Sequence, residues 1–183
     1  MPFKNNIILL VALSLLLLSC KDNKEQQMQE VLALKQMSDL ATAQYVVTKI
    51  IKANDNKTWY KLGDRKILIS CKAIVTAGID LSAITADNVH ITDKDIDLQL
   101  PHAKLISLNI KPEDVQKEYE AEDILRDPFT SEERNDLAIQ AETQIKNSVP
   151  SLGILEAGEK NATLFITNFL TRLGYQKVTV HFD

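Results

Sequence analysis

The longest regular pattern in the chain is a run of eight apolar residues at consecutive odd positions. These residues are Ile67, Ile69, Cys71, Ala73, Val75, Ala77, Ile79 and Leu81, and most of the even positions between them are polar. A period of two places alternate side chains on opposite faces of an extended chain. The run therefore predicts a long β-strand with one buried face. Gly78, on its polar face, predicts a bulge or the close approach of a neighbouring backbone.

Five further segments with alternating or β-branched residues predict additional strands. They span residues 40–52, 89–91, 96–100, 105–110 and 177–182. The first contains β-branched and aromatic residues at both parities, which predicts a strand partly covered on both faces. The polar residues Thr92–Asp95 predict the tight turn of a β-hairpin, and Pro101 ends its second strand because proline has no N–H to donate. Lys111 and Pro112 close this meander.

The C-terminal third of the chain predicts two helices. Thr130 and Glu133 have the spacing of a capping box. The first helix then carries a narrow apolar stripe at helical spacing, formed by Leu137, Ala141, Ile145 and Val149. The second helix has apolar residues every four positions at Phe165, Phe169 and Leu173, on a side widened by Ile166 and Leu170. We expect this side to cover the apolar face of the long strand, and Gly174 to end the helix.

This order of elements predicts an α+β domain. We expect a mainly antiparallel β-sheet, built as a meander of about 4–5 strands plus a C-terminal strand, with two C-terminal helices packed on one face. Between sheet and helices, the stretch from Glu113 to Asp136 contains ten Asp or Glu residues against three cations. It lacks the spacing of an EF-hand-like oxygen cage, so we interpret it as a solvated loop and helix surface rather than a cation site.

The N-terminus has the layout of a secretory signal. Lys4 precedes an apolar run from Ile7 to Leu18 that is too short for an ordinary transmembrane helix. Leu17-Leu18-Ser19-Cys20 resembles the lipobox of bacterial lipoproteins. The resemblance implies cleavage before Cys20, a diacylglycerol on its thiol and acylation of its new amino group, which together anchor a protein stably. The alternative is a plain signal peptide followed by a chance cysteine.

The lipobox divides the chain into three parts. Residues 1–19 are a lipoprotein signal peptide, residues 20–30 a flexible tether and residues 31–183 a single α+β domain. The segment from Lys21 to Gln29 is polar enough for a tether. Its Lys-Asp and Lys-Glu pairs resemble surface-export signals of some Bacteroidota lipoproteins. The predicted location is the cell envelope, at the outer membrane, on its periplasmic face or at the cell surface.

Composition narrows the partners and the chemistry. The net charge is −4, and loss of Lys4 with the signal peptide takes it to about −5, which gives no electrostatic reason to expect nucleic acid. Cys71 is then the one cysteine of the domain, so an internal disulfide cannot form. Its position on the apolar face of the long strand favours a buried, packed thiol over a nucleophile.

The sequence contains no recognisable catalytic constellation. His90, His102 and His181 are far apart and have no partners at metal-ligand spacing. Five scattered glycines form no phosphate loop, and a nucleophile elbow is missing. We therefore predict that the protein is not an enzyme and has no catalytic, cofactor-binding or metal-ligating residues. The one predicted site residue is Cys20, for lipid attachment.

The segment Trp59–Arg65 holds the only tryptophan of the chain in a basic neighbourhood with Lys57, Lys61 and Lys66. One interpretation is a surface for a lipid headgroup or an anionic ligand. We favour a tryptophan that caps the end of the core, beside solvated lysines.

Four short motifs together resemble the recurring pattern of the family called domain of unknown function 4230. They are Trp59–Leu68, Ala77–Leu81, Leu100-Pro101 and Leu173-Gly174-Tyr175. The resemblance runs from about Leu40 to Phe182. It implies a bacterial protein, often behind a lipid anchor or a membrane segment, with no established activity. The resemblance thus supports the extent of the domain and supplies no functional residue.

Two functions fit these observations. The first is a lipid-anchored cell-envelope protein that acts as a structural or interaction module and binds another envelope protein or itself. Leu68 and Ile74, on the nominally polar face of the long strand, support it. The second is a carrier lipoprotein for a small molecule or lipid, with a pocket between helices and sheet. A large apolar cavity favours the carrier, and an exposed apolar patch favours the interaction module.

Overall fold

In the computed structural model, the described residues are 28, 29, 31–55 and 63–183. They form an α+β domain, as predicted. The strands are β1 Asp39–Asp55, β2 Arg65–Asp80, β3 Val89–Thr92, β4 Asp95–Leu100, β5 Lys104–Asn109, β6 Val115–Glu122 and β7 Lys177–Phe182. The helices are α1 Ser131–Ser148 and α2 Ile154–Arg172. The predicted signal peptide and the segment around Trp59 lie outside the described residues.

β2 is the central strand of the main sheet. It pairs antiparallel with β1 along its whole length, and its other side pairs with β6 and then with β5. The eight apolar residues that predicted this strand are all buried, none more than 2% exposed. The predicted buried face is therefore confirmed. Opposite Gly78, the β1 backbone comes close at a register shift between Ala41 and Ala43, which confirms the predicted close approach.

β3, β4 and β7 form a second, smaller sheet. The predicted hairpin joins β3 to β4, and β7 pairs with β4 in the parallel direction. The hairpin leaves the main sheet rather than continuing it, because β5 and β6 already occupy the second edge of β2. Its apolar residues Ile96, Leu98 and Leu100 are buried in one cluster with Ile166 and Leu170 of α2 instead.

β6 lies within the acidic stretch that the sequence led us to interpret as a solvated loop and helix surface. That interpretation was wrong for Val115–Glu122. The strand is held by its ladder with β2, and most of its side chains remain exposed, so it has no apolar alternation to detect. Glu120 is its most buried carboxylate, paired with Lys117 at 2.7 Å and with Arg134 at 3.5 Å.

α1 begins as the capping box predicted. Thr130 Oγ1 accepts the Glu133 N–H at 3.2 Å, and the Glu133 carboxylate accepts the Thr130 N–H at 2.8 Å. Ala141 and Ile145 of the predicted stripe are fully buried against the main sheet. α1 thereby covers the part of β2 that α2 does not reach.

The rotation of α2 differs from the prediction. Phe165 and Leu173 are 41% and 43% exposed, so the prediction that they cover β2 was wrong. The buried residues, again spaced by four, are Ile154, Gly158, Ala162, Ile166 and Leu170. At Gly158 the helix lies against β1, where Thr42 Oγ1 donates to the Gly158 carbonyl at 2.8 Å. Small residues such as Gly158 and Ala162, rather than the large phenylalanines Phe165 and Phe169, are therefore among those that face the sheet.

α2 ends at Gly174, as predicted. Gly174 has a φ of 105°, which a glycine adopts without the strain that a Cβ would cause. The Tyr175 N–H donates to the Leu170 carbonyl at 3.2 Å and the Gly174 N–H to the Thr171 carbonyl at 3.1 Å. These are the two bonds of a Schellman motif, which direct the chain into β7.

Candidate interaction surface

The main sheet has two unlike faces. The odd-numbered residues of β2 point to the inner face, where they are buried together with residues of α1 and α2. The opposite face, which we call the outer face, carries the even-numbered residues of β1 from Gln44 to Asn54, and all six are exposed. Among the described residues, both α-helices pack on the inner face. The sequence-based prediction that β1 is partly covered on both faces was therefore wrong for the outer face.

An apolar patch crosses the three neighbouring strands of the outer face. We call it the outer patch; it consists of Val46, Ile50, Leu68, Ile74 and Tyr119. Val46, Ile50 and Tyr119 are 66%, 53% and 56% exposed. Val46 lies directly opposite Ile74, and Leu68 directly opposite Tyr119. Opposite side chains of an antiparallel pair are neighbours, so the patch consists of two adjacent apolar pairs, with Ile50 between them along β1.

Only part of this patch could be predicted from the sequence. Leu68 and Ile74 were placed on the nominally polar face of the long strand, and the structure confirms both as half-buried there. Val46 and Ile50 were missed because β-branched residues at both parities hide which face is open. Tyr119 was missed because it lies in the acidic stretch. The register of β1 and β6 against β2 is what shows that these residues lie on one face of the sheet.

Lysines and other polar residues lie beside and between the members of the outer patch. Lys52, Lys66 and Lys72 are all exposed on the same face. Ser70 Oγ donates to Glu118 Oε1 at 2.5 Å beside Leu68, and Lys72 Nζ lies 3.9 Å from Asp114 Oδ1. An apolar patch with a polar rim is typical of a docking surface for another macromolecule.

A half-buried ion cluster lies at one end of the main sheet. Arg65 Nε donates to Asp55 Oδ2 at 3.1 Å, its Nη1 donates to Glu133 Oε2 at 3.0 Å, and its guanidinium stacks 4.2 Å from the centre of the Phe129 ring. Arg126 also pairs with Asp55. The hydrogen bond from Arg65 lowers the pKa of Glu133 to about 2. Arg65 is thus engaged within the fold, where it fixes the start of α1 to β1 and β2, and is not free to bind an external anion.

A groove of about 750 Å³ lies between α1 and the connection from β5 to β6. It is lined by Ile110, Pro112, Val115, Ala138, Ile139, Arg134 and Glu142, among others. Its volume is within the range of small-molecule sites. However, the groove is open, and its charged residues Arg134 and Glu142 have opposite signs. It has neither the enclosure nor the single-sign charge that would select an apolar or an anionic ligand.

The histidines lie at the surface, and two of them lie in the smaller sheet near Asp97. His90 lies opposite Asp97 in the β3–β4 ladder, and His181 Nε2 is 3.5 Å from Asp97 Oδ2. His102 lies elsewhere, with its Nδ1 2.8 Å from Glu159 Oε1. Across residues 28–55 and 63–183, apart from residue 30, no three His, Cys, Asp or Glu side chains are arranged to hold a metal ion.

Cys71 is fully buried in the core beneath α1, as predicted. Burial raises the pKa of its thiol, because the charged thiolate would lose its hydration. The thiol is therefore protonated at neutral pH, and its role is packing.

The predicted lipid-attachment residue, Cys20, lies outside the described residues, as do Lys57, Trp59 and Lys61. Within the described part of the chain, no helix has the length and apolar character needed to cross a membrane.

Comparison with known proteins identifies a family. Residues 33–180 match the family described as protein of unknown function (DUF4230). No curated protein and no solved structure matches the chain. The matched residues include all or most of every strand and both α-helices, and they agree with the extent suggested by the four sequence motifs. The chain therefore belongs to the DUF4230 family.

Proposed function

We propose that this protein is a lipid-anchored, non-catalytic interaction module of the cell envelope, and that the outer patch is its docking surface. Cys20 would hold it at the outer membrane, and its partner would be another envelope protein or a second copy of itself. The observation that carries the proposal is the outer patch. Its five apolar side chains lie on the open face of one sheet, among exposed lysines.

The predicted tether supports the same function. Met28 is packed against the core, so the seven residues from Lys21 to Gln27 separate Cys20 from the folded domain. The eight Cα–Cα steps from Cys20 to Met28 span at most about 28 Å when fully extended. An anchored domain on such a tether stays close to the membrane, where envelope components are its nearest partners.

The second candidate function is a carrier of a small molecule or lipid, and the groove beside α1 is the observation in its favour. Ile139 is 53% exposed within that groove, where an apolar ligand would cover it. The open shape and mixed charge of the groove make this candidate weaker than the interaction module.

The proposal can be tested by capture of the tagged full-length protein from its own envelope, in cells that also contain a differently tagged copy. We compare the parent with Ile50→Glu, which places a charge in the outer patch, and with Leu164→Glu as the matched control. Leu164 is similarly exposed, at 56%, but lies on α2. The proposal predicts a protein bound by the parent and by Leu164→Glu but lost from Ile50→Glu.

Two results would contradict the proposal. In the first, the three proteins capture the same set of partners, which would mean that the outer patch is not a docking surface. In the second, lipid extraction finds a stoichiometric ligand that is lost on Ile139→Glu, and the carrier would then be the better account.

A further inference from the structure

β1 is a long edge strand. It has 17 residues and lies at the end of the main sheet, where β2 is its one partner among the described residues. Alternate residues of such a strand direct their N–H and C=O groups away from the sheet. An edge of this kind is a template for another strand.

Only part of this edge is open. At the bulge, Asn161 Nδ2 of α2 donates to the Thr42 carbonyl at 2.9 Å, and the Thr42 hydroxyl is held by Gly158. From Ala43 to Asp55, the ladder between β1 and β2 runs without a register shift. The regular, accessible part of the edge therefore begins at Ala43.

We propose that a second copy of this chain pairs with β1, antiparallel, about a two-fold axis at Thr48. The inference rests on the proposed function, since it names the partner as the protein itself. Opposite residues of an antiparallel pair must lie on the same face of the sheet, so an odd-numbered residue must pair with an odd-numbered one and an even with an even. The two-fold axis must therefore pass through a residue position rather than midway between two residues. An axis at Thr48 meets this condition and uses the eleven residues from Ala43 to Ala53 of each copy.

Side-chain matching selects this register. With the axis at Thr48, Val46 of one copy lies opposite Ile50 of the second copy, and the same pair forms again on the other side of the axis. These are the two most exposed large apolar residues of β1, at 66% and 53%. On the inner face, Tyr45, which is 38% exposed, lies opposite Ile51 of the second copy. Aromatic and β-branched cross-strand pairs of this kind stabilise a sheet.

The positions of the charged residues favour the same register, with the axis at Thr48. In this register Lys49 faces Val47 of the second copy, and Lys52 faces Gln44, so neither lysine lies directly opposite a cation. An axis one residue further along, at Lys49, would place the two Lys49 side chains directly opposite each other, which is destabilising. The eleven paired residues form a junction about 36 Å long. They also join the two outer patches, because Val46 lies between Ile74 of its own copy and Ile50 of the second copy.

The register predicts a specific cross-link. Residues on the two-fold axis have Cα atoms about 4.5–5.5 Å apart, a distance that a disulfide spans. Thr48→Cys is introduced into the full-length, anchored protein, and membranes are treated with a mild oxidant. Thr92→Cys is the matched control, because Thr92 is also an exposed threonine in an edge strand, of the smaller sheet. We expect at least about five times more disulfide-linked dimer from Thr48→Cys, whereas equal amounts from the two variants would overturn the inference.

A charge swap tests the same register without oxidation. Thr48→Lys and Thr48→Asp should each lose self-association, since like charges would meet on the axis, and co-expression of the two should restore it. Thr48 is exposed but lies opposite Lys72 of its own copy, so Thr48→Asp should keep the thermal midpoint of the parent and Thr48→Lys should lower it slightly. Dimers that persist in either single variant would overturn the register. If self-pairing is absent but Ile50→Glu still loses a captured partner, this inference fails and the proposed function stands; if Ile50→Glu loses nothing, the proposed function fails as well.

Discussion

Replacement of Gly78 by alanine should force apart the two longest strands of the protein. The Cβ of alanine would overlap the carbonyl oxygen of Leu40 and lie 2.8 Å from its carbonyl carbon and 2.6 Å from Ile106 Cδ1. The Ile106 side chain can change rotamer, but the Leu40 carbonyl belongs to the β1 backbone and moves only with the strand. Overpacking of a core costs about 1–3 kcal/mol and occasionally more. Because backbone must move here, we expect a loss of about 3 kcal/mol or more.

Gly158→Ala is the matched control, since it adds the same methyl group on α2, near the same bulge of β1. Its Cβ would lie 3.5 Å from Ala103 Cβ and from Thr42 Oγ1, which is an ordinary van der Waals distance. Alanine in a helix interior is more favourable than glycine by about 0.5–1 kcal/mol. Urea titrations of the domain from Lys21 onward should place Gly78→Ala below the parent and Gly158→Ala at or above it. A midpoint for Gly78→Ala that equals the parent's would refute the close approach of the strands.

Three further predictions concern buried and charged groups. Cys71→Ala should lower the free energy of unfolding by about 1 kcal/mol; in the native protein the thiol should resist a thiol reagent, and rapid labelling would contradict its burial. Arg65 lowers the pKa of Glu133 from 4.5 to about 2, so the stability from this carboxylate is complete above pH 4.5 and is lost as the pH falls through 2. Glu133→Gln should therefore reduce the loss in the free energy of unfolding between pH 4.5 and 2. An unchanged loss over this pH range would rule out the contribution of Glu133. Ile166→Ala should cost about 2–5 kcal/mol and Phe165→Ala clearly less in the same urea titration; equal losses would contradict the observed rotation of α2.

Features set by neighbouring residues could be predicted from the sequence. The alternation of β2, the capping box at Thr130 and the helix end at Gly174 each depend on a few residues close together in the chain. Local backbone geometry and hydrogen bonding decide all three, so the pattern alone carries the information.

Features set by distant contacts could not be predicted in this way. The rotation of α2 brings Gly158 against Thr42, which is far away in sequence. β6 forms because the edge of β2 is free there, although Val115–Glu122 itself has little apolar alternation. The outer patch likewise exists only through the register of three strands. In each case the partner, rather than the segment, determines the structure.

The central claim is that the domain acts at a membrane to which Cys20 holds it. The most direct test is mass spectrometry of the full-length gene product after extraction from its own membranes. The account predicts a chain that begins at Cys20, so that trypsin releases the dipeptide Cys20-Lys21 with a diacylglycerol thioether on Sγ and an acyl chain on the amino group. A chain that begins at any other residue, or that carries a free thiol at Cys20, would contradict it.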